Sequence, residues 1–252
     1  MPLVETEAIV LRTYRLAEAD KIVSLFTRQS GRVRAVASGA QRTKSRFGGA
    51  LEPLTYVRLW LYERENRDLG RLNSAEIIES FFDMQKDYSA HLAAQYLAEV
   101  AERLLPEKEV NDRLFRLMLA VLRGLKRDSG SRAIDRALVY FDYWFLRVAG
   151  VLPDLEACSS CGRKLVAGFF GPNAGTLVCQ DCRSPLSPHR VAAEALGLAG
   201  PLRESPPAAW FASEQPGQPV RELRRLLETL IEFHVERKLI TRELLAQDSD
   251  ER

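Results

Sequence analysis

Four cysteines, Cys158, Cys161, Cys179 and Cys182, fall in one 25-residue window as C-x2-C-x17-C-x2-C, and the chain has no others. Two C-x2-C hooks at this spacing are the four-thiolate zinc pattern, each hook folding as a short knuckle around a shared metal. Paired disulfides fit poorly, because a chain of 252 residues can build its own cores and a reducing compartment keeps thiols free. Gly162 follows the second cysteine, where a knuckle needs a permissive backbone. Arg163, Lys164 and Arg183 stand beside the ligands and offset the formal −2 charge of four thiolates on Zn2+. His189 is displaced as a ligand by the full cysteine set. The expected cofactor is one structural Zn2+ per chain in a closed shell, with no position left for catalysis.

No stretch of the sequence is apolar enough to span a bilayer, and residues 1–10 carry acids and lack a basic region ahead of an apolar run, so they do not read as a secretory signal. The expected compartment is the cytoplasm. The net charge of +2 says little, but its distribution says more. Residues 1–50 hold nine Lys/Arg against four Asp/Glu, and from Arg28 to Leu51 six basic residues meet no acid. Such a stretch is either a solvated face or a site that draws polyanions through counterion release.

Short runs rich in Val, Ile, Leu and aromatics predict strands at Glu7–Thr13, Lys21–Arg28, Arg32–Ser38, Leu54–Tyr62 and Leu69–Ile78, separated by turn formers. Five strands with one long Gly/Arg-rich connection predict a small closed barrel, the strand count of an OB-fold. In Leu54–Tyr62 the alternation puts Thr55, Val57, Leu59 and Leu61 on one face and Tyr56, Arg58, Trp60 and Tyr62 on the other. Tyr56 and Trp60 then either stack single-stranded bases or pack against neighbouring protein.

From Asp87 the period becomes helical, with Tyr88, Leu92, Tyr96 and Val100 on one face up to Pro106. A second helix follows Asn111/Asp112. A third runs from about Ser131 to Gly150, with Tyr140, Phe141, Tyr143, Trp144 and Phe145 read as core. Pro and Gly between Gly197 and Pro219 predict a loop-rich link, and a last helix is expected from Val220 to about Leu245, with His234 a packing residue. The expected fold class is α+β and multi-domain: an N-terminal OB-fold β-barrel over 1–80, then an α-helical domain over 81–252 with the four-cysteine zinc knuckle embedded at 155–185.

Catalytic patterns are missing. Gly39 and Gly48-Gly49 lack the Lys-Ser/Thr of a phosphate loop, and the three histidines are scattered without carboxylate pairs. The residues read as a non-enzymatic, zinc-stabilised protein whose basic β domain binds nucleic acid. A protein–protein adaptor is the competing class, and a zinc enzyme conflicts with the closed thiolate shell.

The segment EAIVLRTYRLAEADKIVSLFTRQSGRVRAVASGAQRTKSRFGGALEPLTYVRL resembles the opening of the bacterial RecO family, most specifically in GA-x-R-x-KSRFGGALEP. The helical QYLAEVAERLLPEKEVNDRLFRLMLAVLRGL is similar to that family's middle region. FDYWFLRVAGVLPDLEACSSCG and GPNAGTLVCQDC look like its helix-to-zinc segment. The resemblance implies a DNA repair and recombination mediator of the RecF pathway, cytoplasmic and nucleoid-associated. Such a protein binds single- and double-stranded DNA and anneals complementary strands. With RecR, and with RecF, it helps load RecA onto DNA coated by single-strand-binding protein (SSB), whose C-terminal tail it also binds. Carried over by position, Arg42, Lys44 and Arg46 are phosphate contacts, extended by Arg32, Arg34 and Lys21. Gln41 and Thr43 stand where many relatives have a basic residue and a proline. The acidic, apolar-ended tail calls for an apolar pocket edged by cations, for which Arg116, Arg123, Arg132 and Arg136 are the candidates.

Overall fold

The computed structural model of the chain describes residues 3–62, 69–172 and 174–250. They form two compact units, Met1–Arg116 and Leu117–Arg252.

In the first unit, strands β1 (Leu3–Leu16), β2 (Asp20–Thr27), β3 (Gly31–Ala37), β4 (Tyr56–Tyr62) and β5 (Leu69–Glu79) close a barrel in the order β1-β2-β3-β5-β4. This is the five-stranded, OB-like architecture expected from the sequence. β1 makes closure feasible: its first half pairs with β4 and its second half with β2, and a bulge between Val10 and Arg12 lets it turn from one to the other. β3 shows the alternation plainly, with Val33, Ala35 and Ala37 buried between the half-exposed Arg32, Arg34 and Val36. Inward residues of all five strands meet Phe47, Ala50 and Leu51 in one cluster. The last three come from the long β3–β4 connection, whose 3-10 turn Gly48–Leu51 delivers them to the core.

A 3-10 turn at Phe82–Lys86 leads to α1 (Tyr88–Leu104), capped by the Asp87 carboxylate, which accepts from the Ala90 N–H at 3.1 Å. Leu92, Tyr96 and Val100 are buried as their spacing requires, but Tyr88 is 59% exposed and leaves that face. α1 stops before Pro106, whose ring disfavours helix in the preceding residue. α2 (Asp112–Arg127) begins in this unit and continues into the next.

In the second unit α3 (Ser131–Val148) packs along α7 (Gly217–Val235). Tyr140, Phe141, Tyr143 and Phe145 are buried, as expected of a core cluster. Between the two helices the chain builds a three-stranded antiparallel sheet, β7 (Ala174–Val178)–β6 (Ala167–Gly171)–β8 (His189–Ala192). Three short helices follow, α4 (Ala193–Leu196), α5 (Ala199–Glu204) and α6 (Pro207–Ala212). α5 and α6 replace the loop-rich link expected between Gly197 and Pro219, and Trp210 of α6 is the reason. Its ring is 1% exposed and its N–H donates to the Arg136 carbonyl at 2.9 Å.

The single helix expected over Val220–Leu245 is two, α7 and α8 (Ile240–Asp250), broken where Glu236 takes a left-handed conformation as the α7 C-cap. Arg224 holds Asp135 of α3 and Glu228 of α7 at 2.7 and 2.6 Å, and Arg242 of α8 joins Glu228 and Glu232. His234 packs on Phe233, but its Nε2 has no hydrogen-bond partner among the described residues, so it is not fully satisfied.

Phe47 is 3% exposed and carries the basic connection's grip on the barrel. Phe47→Ala should destabilise the chain by about 3–5 kcal/mol, read as a lower urea midpoint at unchanged slope.

Candidate metal centre and nucleic-acid interface

The first cysteine hook lies in the turn before β6, and the second follows β7 directly. The local backbone accounts for the first. Cys158 N–H donates to the Arg163 carbonyl at 2.8 Å and Gly162 N–H to the Cys158 carbonyl at 2.9 Å, with Gly162 at φ +72°. Only glycine adopts that φ without strain, which explains its place after Cys161. Ser159 N–H donates to the Leu177 carbonyl at 2.9 Å, tying the first hook to the end of β7 and so to the second.

The result is four Sγ atoms within 4.8 Å of one another. Those of Cys161 and Cys179 are 3.8 Å apart, and a tetrahedron of sulfurs about 2.3 Å from Zn2+ has edges of about 3.8 Å. The cluster can hold a metal ion, and its geometry and all-thiolate donor set fit zinc. Burial of Cys158 opposes its ionisation, but backbone N–H groups of Cys179, Cys161 and Ser160 outweigh that and bring its pKa to about 6. The Arg163 N–H and guanidinium lower Cys161 as well. Its neighbours Cys161 and Cys179 push Cys182 up to about 12. Sulfurs this close do not all ionise unaided, and a cation at their centre removes that conflict. Of the three expected charge-balancing cations, Arg163 donates to Cys161 Sγ at 3.4 Å, whereas Arg183 lies over the Phe169 ring at 5.0 Å.

The cations of the barrel divide into two sets. Lys21 lies 3.8 Å from Glu52. Arg32 and Arg34 share Oε1 of Glu107 at 3.3 and 3.1 Å, and Arg32 Nε also donates to the Leu105 carbonyl. Arg42, Lys44 and Arg46, by contrast, are exposed and have no carboxylate partner among the described residues. The loop that bears them is a run of consecutive turns pinned at both ends. Gly39 N–H donates to Asp20 Oδ1 at 2.8 Å, Gln41 donates to the Asp20 carbonyl at 2.7 Å and accepts from Arg15, and Phe47 sits in the core. Gln41 is thus a structural pin, a role the sequence did not signal.

The aromatic row does not form a platform. Tyr56 is 7% exposed, with its ring edge-on to Phe115 at 6.0 Å and its hydroxyl on Glu7. The ring points outward as strand alternation assigns, but it packs against neighbouring protein, and no face of it is left for a base. Trp60 is half-buried and donates to Glu5 at 3.1 Å, while Arg58 pairs with the same carboxylate. With Glu7 held below its usual carboxylate range, burial being overcome by Tyr56 and Arg28, this side of the barrel is carboxylate-rich. A β2–β3 face, the usual oligonucleotide surface of OB-folds, is present here but covered. Phe26 is 1% exposed under Phe115, and residues 105–109 lie along Arg32.

Of the partner-site candidates, Arg116 pairs with Asp112 at 2.9 Å and Arg123 is exposed on α2. Arg132 and Arg136 line one groove of the second unit together with Phe211 and Pro216.

Comparison with known proteins matches residues 1–81 to the family model described as recombination protein O N terminal, and residues 85–243 to recombination protein O C terminal. The chain belongs to the RecO family of DNA repair and recombination proteins. It is 42% identical over 240 residues to the DNA repair protein RecO of Koribacter versatilis (strain Ellin345), covering 95% of this chain and 96% of that one. It is 38% identical over 246 residues to that of a Nocardioides species (strain ATCC BAA-499 / JS614), covering 94% and 96%. To that of Anaeromyxobacter sp. (strain K) it is 34% identical over 249 residues, covering 97% and 96%. Among the described residues no helix is long and apolar enough to cross a membrane.

Cys158→Ser should abolish uptake of one equivalent of Zn2+, followed by chromogenic chelator after thiol modification. Because α3 and α7 pack on each other without the knuckle, far-UV dichroism should keep its helical signal while proteolysis opens the segment around 155–192.

Proposed function

We propose that this family member is a non-enzymatic mediator that binds single- and double-stranded DNA through its barrel and anneals complementary strands. With RecR it helps load RecA onto SSB-coated single strands, RecF acting in the same pathway. The observation that carries this is the set of three exposed cations, Arg42, Lys44 and Arg46, without carboxylate partners among the described residues, on a loop fixed to the barrel core by Phe47. Annealing needs no bond chemistry. It needs two polyanions to approach, and fixed cations that displace their counterions provide for that.

On this reading, residues 1–80 are the DNA-binding domain and 81–252 the helical domain. Arg42, Lys44 and Arg46 are the primary phosphate contacts. Arg32, Arg34 and Lys21 contribute only when their carboxylate partners give way, and Trp60 is secondary because it sits beside Glu5. Cys158, Cys161, Cys179 and Cys182 hold a structural Zn2+ that fixes the β6–β8 sheet and takes no part in DNA chemistry. Arg132 and Arg136 beside Phe211 suit an acidic tail ending in an apolar residue, as the SSB tail does, and leave Arg116 and Arg123 as weaker candidates. The protein works in the cytoplasm at the nucleoid.

A protein with Arg42, Lys44 and Arg46 all changed to Ala should bind oligonucleotides of any sequence more weakly. Its log–log salt slope should flatten by about two to three units, and annealing of SSB-coated strands should slow with it. Unchanged affinity and slope, measured by fluorescence anisotropy across a salt series, would remove the basic loop from the interface.

A further inference from the structure

The segment between α1 and α2 makes an unusual approach to the barrel. Glu107 forms an isolated parallel bridge with Arg32, and Lys108 N–H donates to the Arg32 carbonyl at 3.0 Å. A Cβ on Gly31 would overlap the Glu109 carbonyl group, so the segment is seated as closely as backbone allows. Yet residues 106–110 are all exposed, and Lys108 is held at φ +60°, a conformation a lysine side chain disfavours. This strip is therefore closely docked but held by few bonds.

What it presents is one carboxylate oxygen to two arginines. Glu107 Oε1 is 3.3 Å from Arg32 Nη1 and 3.1 Å from Arg34 Nε. The second contact is badly aligned: Arg34 Nε is buried and lacks a hydrogen-bond partner among the described residues. Two guanidinium groups facing one anionic oxygen, with a donor left unsatisfied, leave a net positive seat that an anion with more oxygens fills better. The seat lies on the β2–β3 side of an OB-like barrel, where oligonucleotides usually bind.

We infer that Glu107 is a specificity-determining residue of the nucleic-acid interface. It occupies a phosphate seat formed by Arg32 and Arg34, and a nucleic-acid phosphate takes that seat by displacing it. The inference rests on the proposed DNA-binding role of the barrel. Exchange replaces one charge-assisted contact by another and adds the bond that Arg34 lacks. A lone carboxylate from another protein gains nothing over Glu107, whereas a polyanion already drawn in by Arg42, Lys44 and Arg46 brings a second phosphate at high local concentration. Glu107 thus sets a threshold that admits dense polyanions and rejects ordinary acidic surfaces.

The test is anisotropy with a fluorescent oligodeoxythymidylate across a salt series, on Glu107→Gln, Glu107→Asp, Glu109→Gln and the Arg42/Lys44/Arg46 triple alanine protein. Glu107→Gln should tighten binding about three- to tenfold at low salt with little change in slope, because the same phosphate fills the seat in both proteins. Glu107→Asp, which withdraws the carboxylate at constant charge, should tighten it in the same direction. Glu109→Gln removes the same charge from an exposed neighbour and should change affinity less than about twofold. If Glu107→Gln matches the wild type or Glu109→Gln while the triple variant is weakened, the basic-loop reading stands and the phosphate seat is refuted. If the triple variant binds like the wild type, the DNA-binding reading fails and this inference falls with it. A Glu107→Gln protein that fails to melt cooperatively is judged on Glu107→Asp alone, by the same criterion.

Discussion

Filling a small barrel is the constraint on which the rest of the first unit depends. Five strands enclose a core too narrow for many large side chains, and here the strands contribute mostly Ala, Val and Leu. Phe47, Ala50 and Leu51 complete it from the β3–β4 connection. Burying those three residues fixes where the intervening backbone must run. Arg42, Lys44 and Arg46 are thereby placed on the outside of a turn that cannot fold away. A packing requirement and a display of charge are met by the same connection, so neither varies independently of the other.

Charge is handled by contrast rather than by quantity. The barrel has cations in several places, but Arg32 and Arg34 of β3, Arg58 of β4 and Lys21 of β2 face a carboxylate, from Glu107, Glu5 and Glu52 respectively. Exposed pairs of this kind add little stability. Their effect is to weaken the local field at those positions, whereas Arg42, Lys44 and Arg46 face no carboxylate among the described residues. The second unit uses charge differently. Arg224 and Arg242 with Asp135, Glu228 and Glu232 are largely buried, and they link α3, α7 and α8 to one another.

Much of this was legible in the sequence, and the failures have physical causes. Strand positions, the α1–α3 boundaries and the cysteine cluster depend on near neighbours: period-two and period-3.6 burial, caps, and paired C-x2-C hooks. The carboxylates that neutralise Arg32, Arg34 and Arg58 come from distant parts of the chain, and no local pattern announces Glu107 or Glu5. Alternation put Tyr56 on the outer face but could not decide between base stacking and packing, because Phe115, which covers the ring, comes from a distant part of the chain. The β6–β8 sheet went unforeseen because its strands of four and five residues are too short for a periodic signal. The break between α7 and α8 has no glycine or proline to mark it, only Glu236 in a left-handed turn.

The order of helices in the second unit has an evolutionary consequence. α3 and α7 are contact partners although the sheet and its four-cysteine cluster lie between them in sequence. The cysteine-bearing stretch is therefore an excursion that leaves a helix pair and returns to it, and a loop whose ends are held together by other contacts loses little when its length changes. A descendant that lost one hook could rebuild the interior of this excursion around apolar side chains in place of sulfur. It would keep the helix pair, the charge lattice beside it and the barrel untouched.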